Sequence, residues 1–500
     1  MKNRDIRKLT SLSFPFVRRM LCVLSFLLCV ACCGCSVIVP PAGESATKET
    51  ATTEPSKSLY DPDQTEQMLS QAEQYLADLQ KKDMGGEMLV IATVRADSVA
   101  PLTANSALDA YREKRNQMIS EAFHCQLLVM EYDADTLYNN LLQQKEQNAG
   151  TFLNADLLML PQREIGRFVA AGLLSDIRSL PHVDLSAPYF NQEALDQTAA
   201  GNAVYAAAGD FSSAPDYAVG VYYNKTMLAQ LGVEDAAQFL SDNSWTWDTF
   251  VSLCQKAQQA QHWGYMLDEE LNMTLPEVVL ASSGYHAIDA ARDQTPELRD
   301  DTEMLRRIAA AENKVWSGVT RPDMDSDALK NTTAQNEFLS SNALFCIGTL
   351  STMETLGEQN NIAWGMLPLP KVCAEQAEYA SPLTDSAPLL CVSSVAQDVD
   401  LCGMLVQALN AASYGYLDEF YYHYVLGTLA PDHLTVLSAY YAMRGRYYDF
   451  REMYSKGYAE IQDGITLPLL GGTELQSADP GGTVSALLGR IFCVSAKRSP

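Results

Sequence analysis

Met88-Leu89-Val90-Ile91-Ala92-Thr93-Val94 is an unbroken apolar run of strand length, followed by Arg95-Ala96-Asp97 and a long helical stretch through Tyr111 to Phe123. A strand that is apolar throughout has to be covered on both faces, so a buried parallel strand feeding a helix is the simplest reading. The pattern repeats downstream. Gln126 to Glu131 reads as a strand, Thr136 to Gln147 as a helix, Ala155-Asp156-Leu157-Leu158-Met159-Leu160-Pro161 as another strand, and Arg163 to Ala171 as a helix closed by Gly172. Strands alternating with helices predict an α/β fold with mainly parallel sheets, in which ligands sit beyond the carboxyl ends of the strands. The loops after residues 94, 131 and 160 are therefore the first places to look for a site.

Upstream, Met68, Leu69, Ala72, Tyr75, Leu76 and Leu79 recur at spacings of three and four between Thr65 and Lys82, which predicts an amphipathic helix over 62–85, ended by Gly85-Gly86. Residues 36–61 are rich in Pro, Ser, Thr and Glu and too poor in large apolar side chains to pack a core, so they read as a flexible tether. Residues 1–35 have the three parts of an export signal. Lys2, Arg4, Arg7, Lys8, Arg18 and Arg19 are a basic start, Met20 to Ala31 an apolar stretch, and Ala31-Cys32-Cys33-Gly34-Cys35-Ser36 a small-residue end. The apolar run falls short of the roughly 20 residues that span a bilayer. Ala31 and Gly34, each directly before a cysteine, resemble the lipobox of bacterial lipoproteins, in which that cysteine is acylated and becomes the mature N-terminus. Cys35 is the favoured acceptor and Cys32 the alternative; a plain secretory signal peptide is the competing reading.

The net charge of the 500-residue chain is −27, and removing the six basic residues and one acid of the leader takes it to about −32. That balance excludes nucleic acid as the natural partner and speaks to solubility, not to fold. Some 430 residues beyond the tether exceed what one hydrophobic core usually supports, so two lobes are expected. Seven cysteines lie beyond the leader (Cys125, Cys254, Cys346, Cys373, Cys391, Cys402 and Cys493), an odd number without CxxC spacing. Several fall in apolar runs, where cysteine behaves as a small buried hydrophobe.

Tyr217 to Tyr223 is a β-prone run, which we read as the first crossing between lobes. Ser244-Trp245-Thr246-Trp247-Asp248-Thr249-Phe250 opens a helix with Thr246 at its N-cap. Helices follow at Pro276–Ala281 and Thr302–Trp316, and strands at Ala343–Ile347, Ile362–Leu367 and Pro388–Ser393.

Taken in order, these pieces resemble the extracellular solute-binding proteins of family 1, the group that includes maltose-binding protein. They are Ala155-Asp156-Leu157-Leu158-Met159, then Ala171-Gly172-Leu173-Leu174-Ser175-Asp176, Gly201-Asn202-Ala203-Val204-Tyr205 and Val221-Tyr222-Tyr223-Asn224-Lys225. Trp245 to Phe250, Phe338 to Gly348 and the proline-ended Trp364-Gly365-Met366-Leu367-Pro368 continue the series. The C-terminal hundred residues match loosely, mainly at Arg446-Tyr447-Tyr448-Asp449-Phe450.

The resemblance implies a two-lobe fold like that of periplasmic binding proteins, with crossing hinge strands. Residues 86–207 would begin the first lobe, 208–384 the second, 385–440 return to the first, and 441–500 complete the second. It implies a monomer without cofactor or metal, held by its lipid on the outer face of the cytoplasmic membrane of a Gram-positive cell. There it would deliver a small solute, a sugar or oligosaccharide, to the permease subunits of an ABC importer. It also places ligand contacts at Asp97, Gln162, Arg163, Tyr205, Asp210, Tyr217, Glu270, Tyr285 and Thr349, with Asp210 the foremost. Each has a plainer reading: helix capping for Asp97, an ion pair with Glu164 or Asp176 for Arg163, an exposed acid for Glu270, core packing for Tyr285. Leu160 and Leu350 stand where many carbohydrate binders of the family place a tryptophan.

No GxSxG, HExxH, GxGxxG or Walker pattern occurs, and the six histidines are scattered. An enzyme is therefore not the reading adopted. A surface binding module without a transport role and a secreted glycan-active hydrolase are the alternatives.

Overall fold

The structure is a computed structural model. It describes residues 62–96, 99, 107–147, 155–299, 301–327, 329–359, 362–415, 418–419, 421, 426–466, 488 and 492. The leader with Cys32 and Cys35, the tether, Asp97 and Cys493 lie outside the described residues.

In chain order the first elements are α1 (Pro62–Asp78), β1 (Met88–Thr93), α2 (Ala107–Phe123), β2 (Gln126–Glu131), α3 (Ala134–Gln147), β3 (Leu157–Pro161) and α4 (Gln162–Ala170). Strands β2, β1 and β3 pair in parallel, and all five residues of β3 are buried, as its lack of a polar face requires. Pro161 runs straight into α4 and provides no side-chain cap. The free N–H groups of that helix end are satisfied elsewhere: those of Gln162 and Arg163 donate to the carbonyls of Ala387 and Asp385, 2.9 and 3.1 Å away.

The second group comprises β4 (Val219–Asn224), α5 (Trp247–Gln259), β5 (Trp263–Leu267), α6 (Leu275–Ser282), α7 (Thr302–Gly318), β6 (Ala343–Thr349) and β7 (Trp364–Pro368). Its sheet has the order β5-β6-β4-β7, with β5 and β6 parallel and β4 antiparallel to both its neighbours. Trp245, Trp247, Phe250 and Phe345 form an aromatic core against it, with Phe250 and Phe345 stacked at 4.9 Å. Both indole N–H groups find acceptors, Trp245 on the Pro368 carbonyl and Trp247 on Ser282 Oγ, so these tryptophans anchor α5. Thr246 occupies the N-cap position of α5 but makes no side-chain cap there; Thr249 Oγ1 instead donates to the Ser244 carbonyl.

The last group comprises β8 (Ser381–Pro382), β9 (Pro388–Val392), α8 (Val399–Ala411), α9 (His433–Arg444), β10 (Arg446–Tyr447) and α10 (Phe450–Ser455). Strand β9 closes the first sheet, antiparallel to β3. Three segments thus cross between the sheets, at 208–218, 383–387 and 445–449. They lie side by side: Ala218 bridges Leu383, β8 pairs with β10, and the N–H of Leu383 donates to the Tyr447 carbonyl at 3.0 Å.

The tail departs from the expected division at residue 440. Helix α9 packs on β7 and β4 of the second sheet, and α10 packs on α4 of the first. Gly166 and Gly457 explain the second contact. A Cβ on Gly166 would lie 2.6 Å from Tyr454 Cα, and one on Gly457 would lie 2.1 Å from the Gly166 carbonyl oxygen, so only glycine permits the backbones to approach this closely.

Cys125, Cys254, Cys346, Cys391 and Cys402 are buried free thiols and Cys373 is half-buried. Burial pushes the Cys402 thiol up to about 12, in keeping with a packing role.

Candidate functional site

The carboxyl ends of the strands meet at the crossing segments. From the first sheet, Arg163 at the start of α4 donates to Asp385 Oδ1 at 3.0 Å and to Ser386 Oγ at 2.7 Å. From the second, Asn272 on the turn after β5 donates to Asp385 Oδ2 at 2.8 Å. One carboxylate in a crossing segment therefore joins the two halves. Gln162 is buried behind this bridge, its Nε2 donating to the carbonyls of Leu383 and Thr384, both at 2.9 Å. Arg163 also lies 3.7 Å from Glu164, but its hydrogen-bonded partner is Asp385, a residue the sequence did not single out.

Tyr217 sits at the centre of the same convergence. The Arg95 guanidinium, beyond β1, lies 5.7 Å from its ring centroid, and its carbonyl accepts from the Thr384 N–H. Next to it, the Asp216 and Ala218 carbonyls accept from the N–H groups of Ser351 and Leu350, in the loop after β6. Thr349, the last residue of β6, is buried with its Oγ1 2.6 Å from Ser351 Oγ, while its carbonyl accepts from Tyr222 Oη at 2.8 Å. Asp268 organises this side: it is buried, and its Oδ2 accepts from Gln335 Nε2 and Thr352 Oγ1.

Asp210 holds a different part of the hinge. Its Oδ2 accepts from the Gly415 N–H at 2.7 Å, after α8, and burial pushes its carboxyl up to about 8. Close by, Arg446 pairs with Asp418, and Ser213 donates to the same carboxylate. Gly209, just before Asp210, has to be glycine because a Cβ would fall 2.3 Å from Asn410 Oδ1 of α8.

Gln162, Arg163, Asp210, Tyr217 and Thr349 thus come to the crossing region from separate parts of the chain. Glu270 is exposed on the turn that carries Asn272. Two residues lie apart. Tyr205 packs in the first half, near Asp176, Tyr454 and Tyr458. Tyr285 is buried in the second half and donates from Oη to the Arg299 carbonyl, the core-packing alternative. Leu160 and Leu350 are fully buried, so neither presents a face to a ligand.

Among the described residues, the buried acceptor Gln162 Oε1 and the buried donor Arg451 Nη1 have no hydrogen-bond partner. Arg451 pairs through Nη2 with Asp449 and Glu452, and is a residue sequence reasoning missed. Its only signal was proximity to the loosely matching Arg446-to-Phe450 stretch.

A family model described as bacterial extracellular solute-binding protein matches residues 117–417. The chain belongs to that family. The match runs from within α2 to just past α8 and so takes in the second sheet, the first sheet apart from β1, and two of the three crossings. Among solved structures, this solute-binding protein is similar to the GacH receptor of Streptomyces glaucescens GLA.O, at 15% identity over 81% of this chain and 98% of that one, with a TM-score of 0.49. It is similar to the galacto-N-biose-/lacto-N-biose I-binding protein of the ABC transporter from Bifidobacterium longum, at 13% identity over 83% and 99%, TM-score 0.49. It is also similar to the maltose-binding periplasmic protein MalE of Listeria monocytogenes, at 13% identity over 83% and 100%, TM-score 0.49. No curated protein matches the sequence. Among the described residues of this family member, no helix is long and apolar enough to cross a membrane and no cluster of His, Cys, Asp and Glu could hold a metal ion.

Proposed function

We propose that the chain is a lipid-anchored receptor on the outer face of the cytoplasmic membrane. It captures a neutral, hydroxyl-rich solute, a sugar or oligosaccharide, where the two halves meet, and passes it to the permease subunits of an ABC importer. Family membership supports solute binding. The observation that carries the choice of solute is the state of the polar groups at the crossings. Arg163 and Arg446 already have carboxylate partners, Asp385 and Asp418, which leaves little reason for a charged ligand. Gln162 Oε1 and Arg451 Nη1 are a buried acceptor and a buried donor without a hydrogen-bond partner among the described residues. A hydroxyl supplies both roles at once, and a buried polar group left unmade costs about 1–3 kcal/mol. Arg163, Asp385, Asn272, Tyr217 and Thr349 would form the polar lining, and closure follows because one solute touches both halves. Anchoring through Cys35, or Cys32, would keep the receptor beside its importer.

The test is a thermal-shift screen of the full chain against sugars, oligosaccharides, polyols, amino acids and peptides. At a hundred times its dissociation constant a true ligand adds about 2.7 kcal/mol to stability. At least one neutral polyhydroxylated compound is expected to do so. Shifts from amino acids or peptides alone would overturn the carbohydrate assignment. For the anchor, metabolic labelling with palmitate is expected to be lost in Cys35→Ala.

A further inference from the structure

Away from the crossings, the second half carries a cavity of about 360 Å³ between the edge strand β5, the start of α6 and the end of α7. This volume lies within the ~300–1,000 Å³ usual for small-molecule sites. Its walls are apolar for the most part: Leu267, Leu275, Val315, Val319, Pro322 and Met324 contribute to them. Trp316 forms one side and is 69% exposed as a residue, whereas Trp245 and Trp247 are wholly buried. A tryptophan so exposed at the rim of an apolar cavity, one turn from the end of α7, does nothing for the core.

Two groups give the cavity a polar end. Tyr265 is buried, lines the cavity, and its hydroxyl makes no hydrogen bond among the described residues. Arg321 also lines it, exposed and without an ion-pair partner among the described residues, and is close enough for its charge to act on the Tyr265 phenol. The chain holds 62 acids against 35 basic residues, and its other cavity-facing or hinge arginines, such as Arg163, Arg446 and Arg451, are matched by carboxylates. An arginine left open in such a protein, at the mouth of an apolar cavity, is suited to a carboxylate that arrives with a ligand.

We infer that this cavity is a second binding site, separate from the interlobe one, for a small aromatic carboxylate whose ring lies against Trp316 and whose carboxylate meets Arg321 and the Tyr265 hydroxyl. A sugar fits the lining poorly, because each of its hydroxyls needs a partner and the side chains of the walls offer only the Tyr265 hydroxyl, the Arg321 guanidinium and the Trp316 indole N–H. An aromatic ring, by contrast, removes apolar wall and ligand surface from water together.

The probes are 3-phenylpropanoate and its neutral amide, titrated at millimolar concentration into the full chain and followed by ligand-observed NMR and by Trp316 fluorescence. The acid is expected to bind at least tenfold more tightly than the amide. Arg321→Gln should weaken the acid about tenfold, a loss of about 1.4 kcal/mol, and leave the amide unchanged. Trp316→Ala, at an exposed position that does not endanger the fold, should weaken both. Neither variant should alter a sugar-induced thermal shift, which separates this site from the interlobe one. Equal binding of acid and amide, no binding of either, or binding that both variants retain would overturn the assignment, as would occupancy by apolar peptides with the acid excluded.

Discussion

Asp210 shows how a hinge carboxyl can make stability depend on pH. Its native carboxyl titrates near 8 because burial disfavours the charge, whereas in an unfolded chain it would titrate near 4. Between those values the native state keeps a proton that the unfolded state has lost, so this residue's contribution to stability falls as pH rises from about 4 to about 8, and is level outside that window. Asp210→Asn retains an acceptor for the Gly415 N–H and cannot ionise. The variant is expected to melt close to wild type near pH 4 and above it near pH 8. Glu312, which burial also pushes up to about 8, acts in the same direction, so Glu312→Gln removes a further part of the slope and the double variant is flattest. Melting profiles across pH that run parallel in wild type and Asp210→Asn would count against a buried acid at this position.

At this scale the sequence held part of the geometry at the crossings. Gln162, Arg163, Asp210 and Thr349 follow apolar runs and Tyr217 opens one, so their places near the crossings could be read from strand ends and from resemblance. Asp385 and Asn272 could not, because a bridge between residues 113 positions apart depends on a crossing geometry that one-dimensional spacing does not contain. The polar trio Thr384-Asp385-Ser386 between Pro382 and the apolar Pro388–Val392 was the available signal. Tyr285 misled because an aromatic in a core and an aromatic in a cleft look the same in sequence.

Among the elements, α4 and α10 make the most specific contact. Gly166 meets the backbone of Met453 and Tyr454, and Gly457 meets that of Gly166, so neither side can give by rotating a side chain. Gly166→Ala is expected to cost about 1–3 kcal/mol, as overpacking does. A shifted denaturation midpoint, together with faster proteolysis of the tail after residue 449, would register it. Strands and helices were themselves readable, since β1, β3, β6, β7 and β9 are short, wholly or nearly wholly apolar runs that must be buried, and the helices show spacing of three and four. The tail was not. Apart from α9, residues 427–466 are cut into pieces of two to six residues, such as Gly427–Leu429, Arg446–Tyr447, Phe450–Ser455 and Ala459–Ile461, each too brief for periodicity to say which sheet it lies against.

For the whole molecule, the Arg163–Asp385–Asn272 bridge ties the two halves through one side chain. Asp385→Ala is expected to increase the radius of gyration of the solute-free chain in X-ray scattering and to weaken solute binding about tenfold, or about 1.4 kcal/mol. Wild-type scattering should contract on adding a solute that raises the melting temperature. Curves that superimpose with and without such a solute would remove closure from the mechanism.

The return of the chain to its first sheet also sets an order of assembly. Strand β9 and helix α10 complete a half begun some three hundred residues earlier, while β4 to β7 form one continuous stretch. A nascent chain can therefore finish its middle while its beginning still waits for its end. Losing the residues after 449 would strip α10 from the earliest-made half and leave α9 on the later sheet.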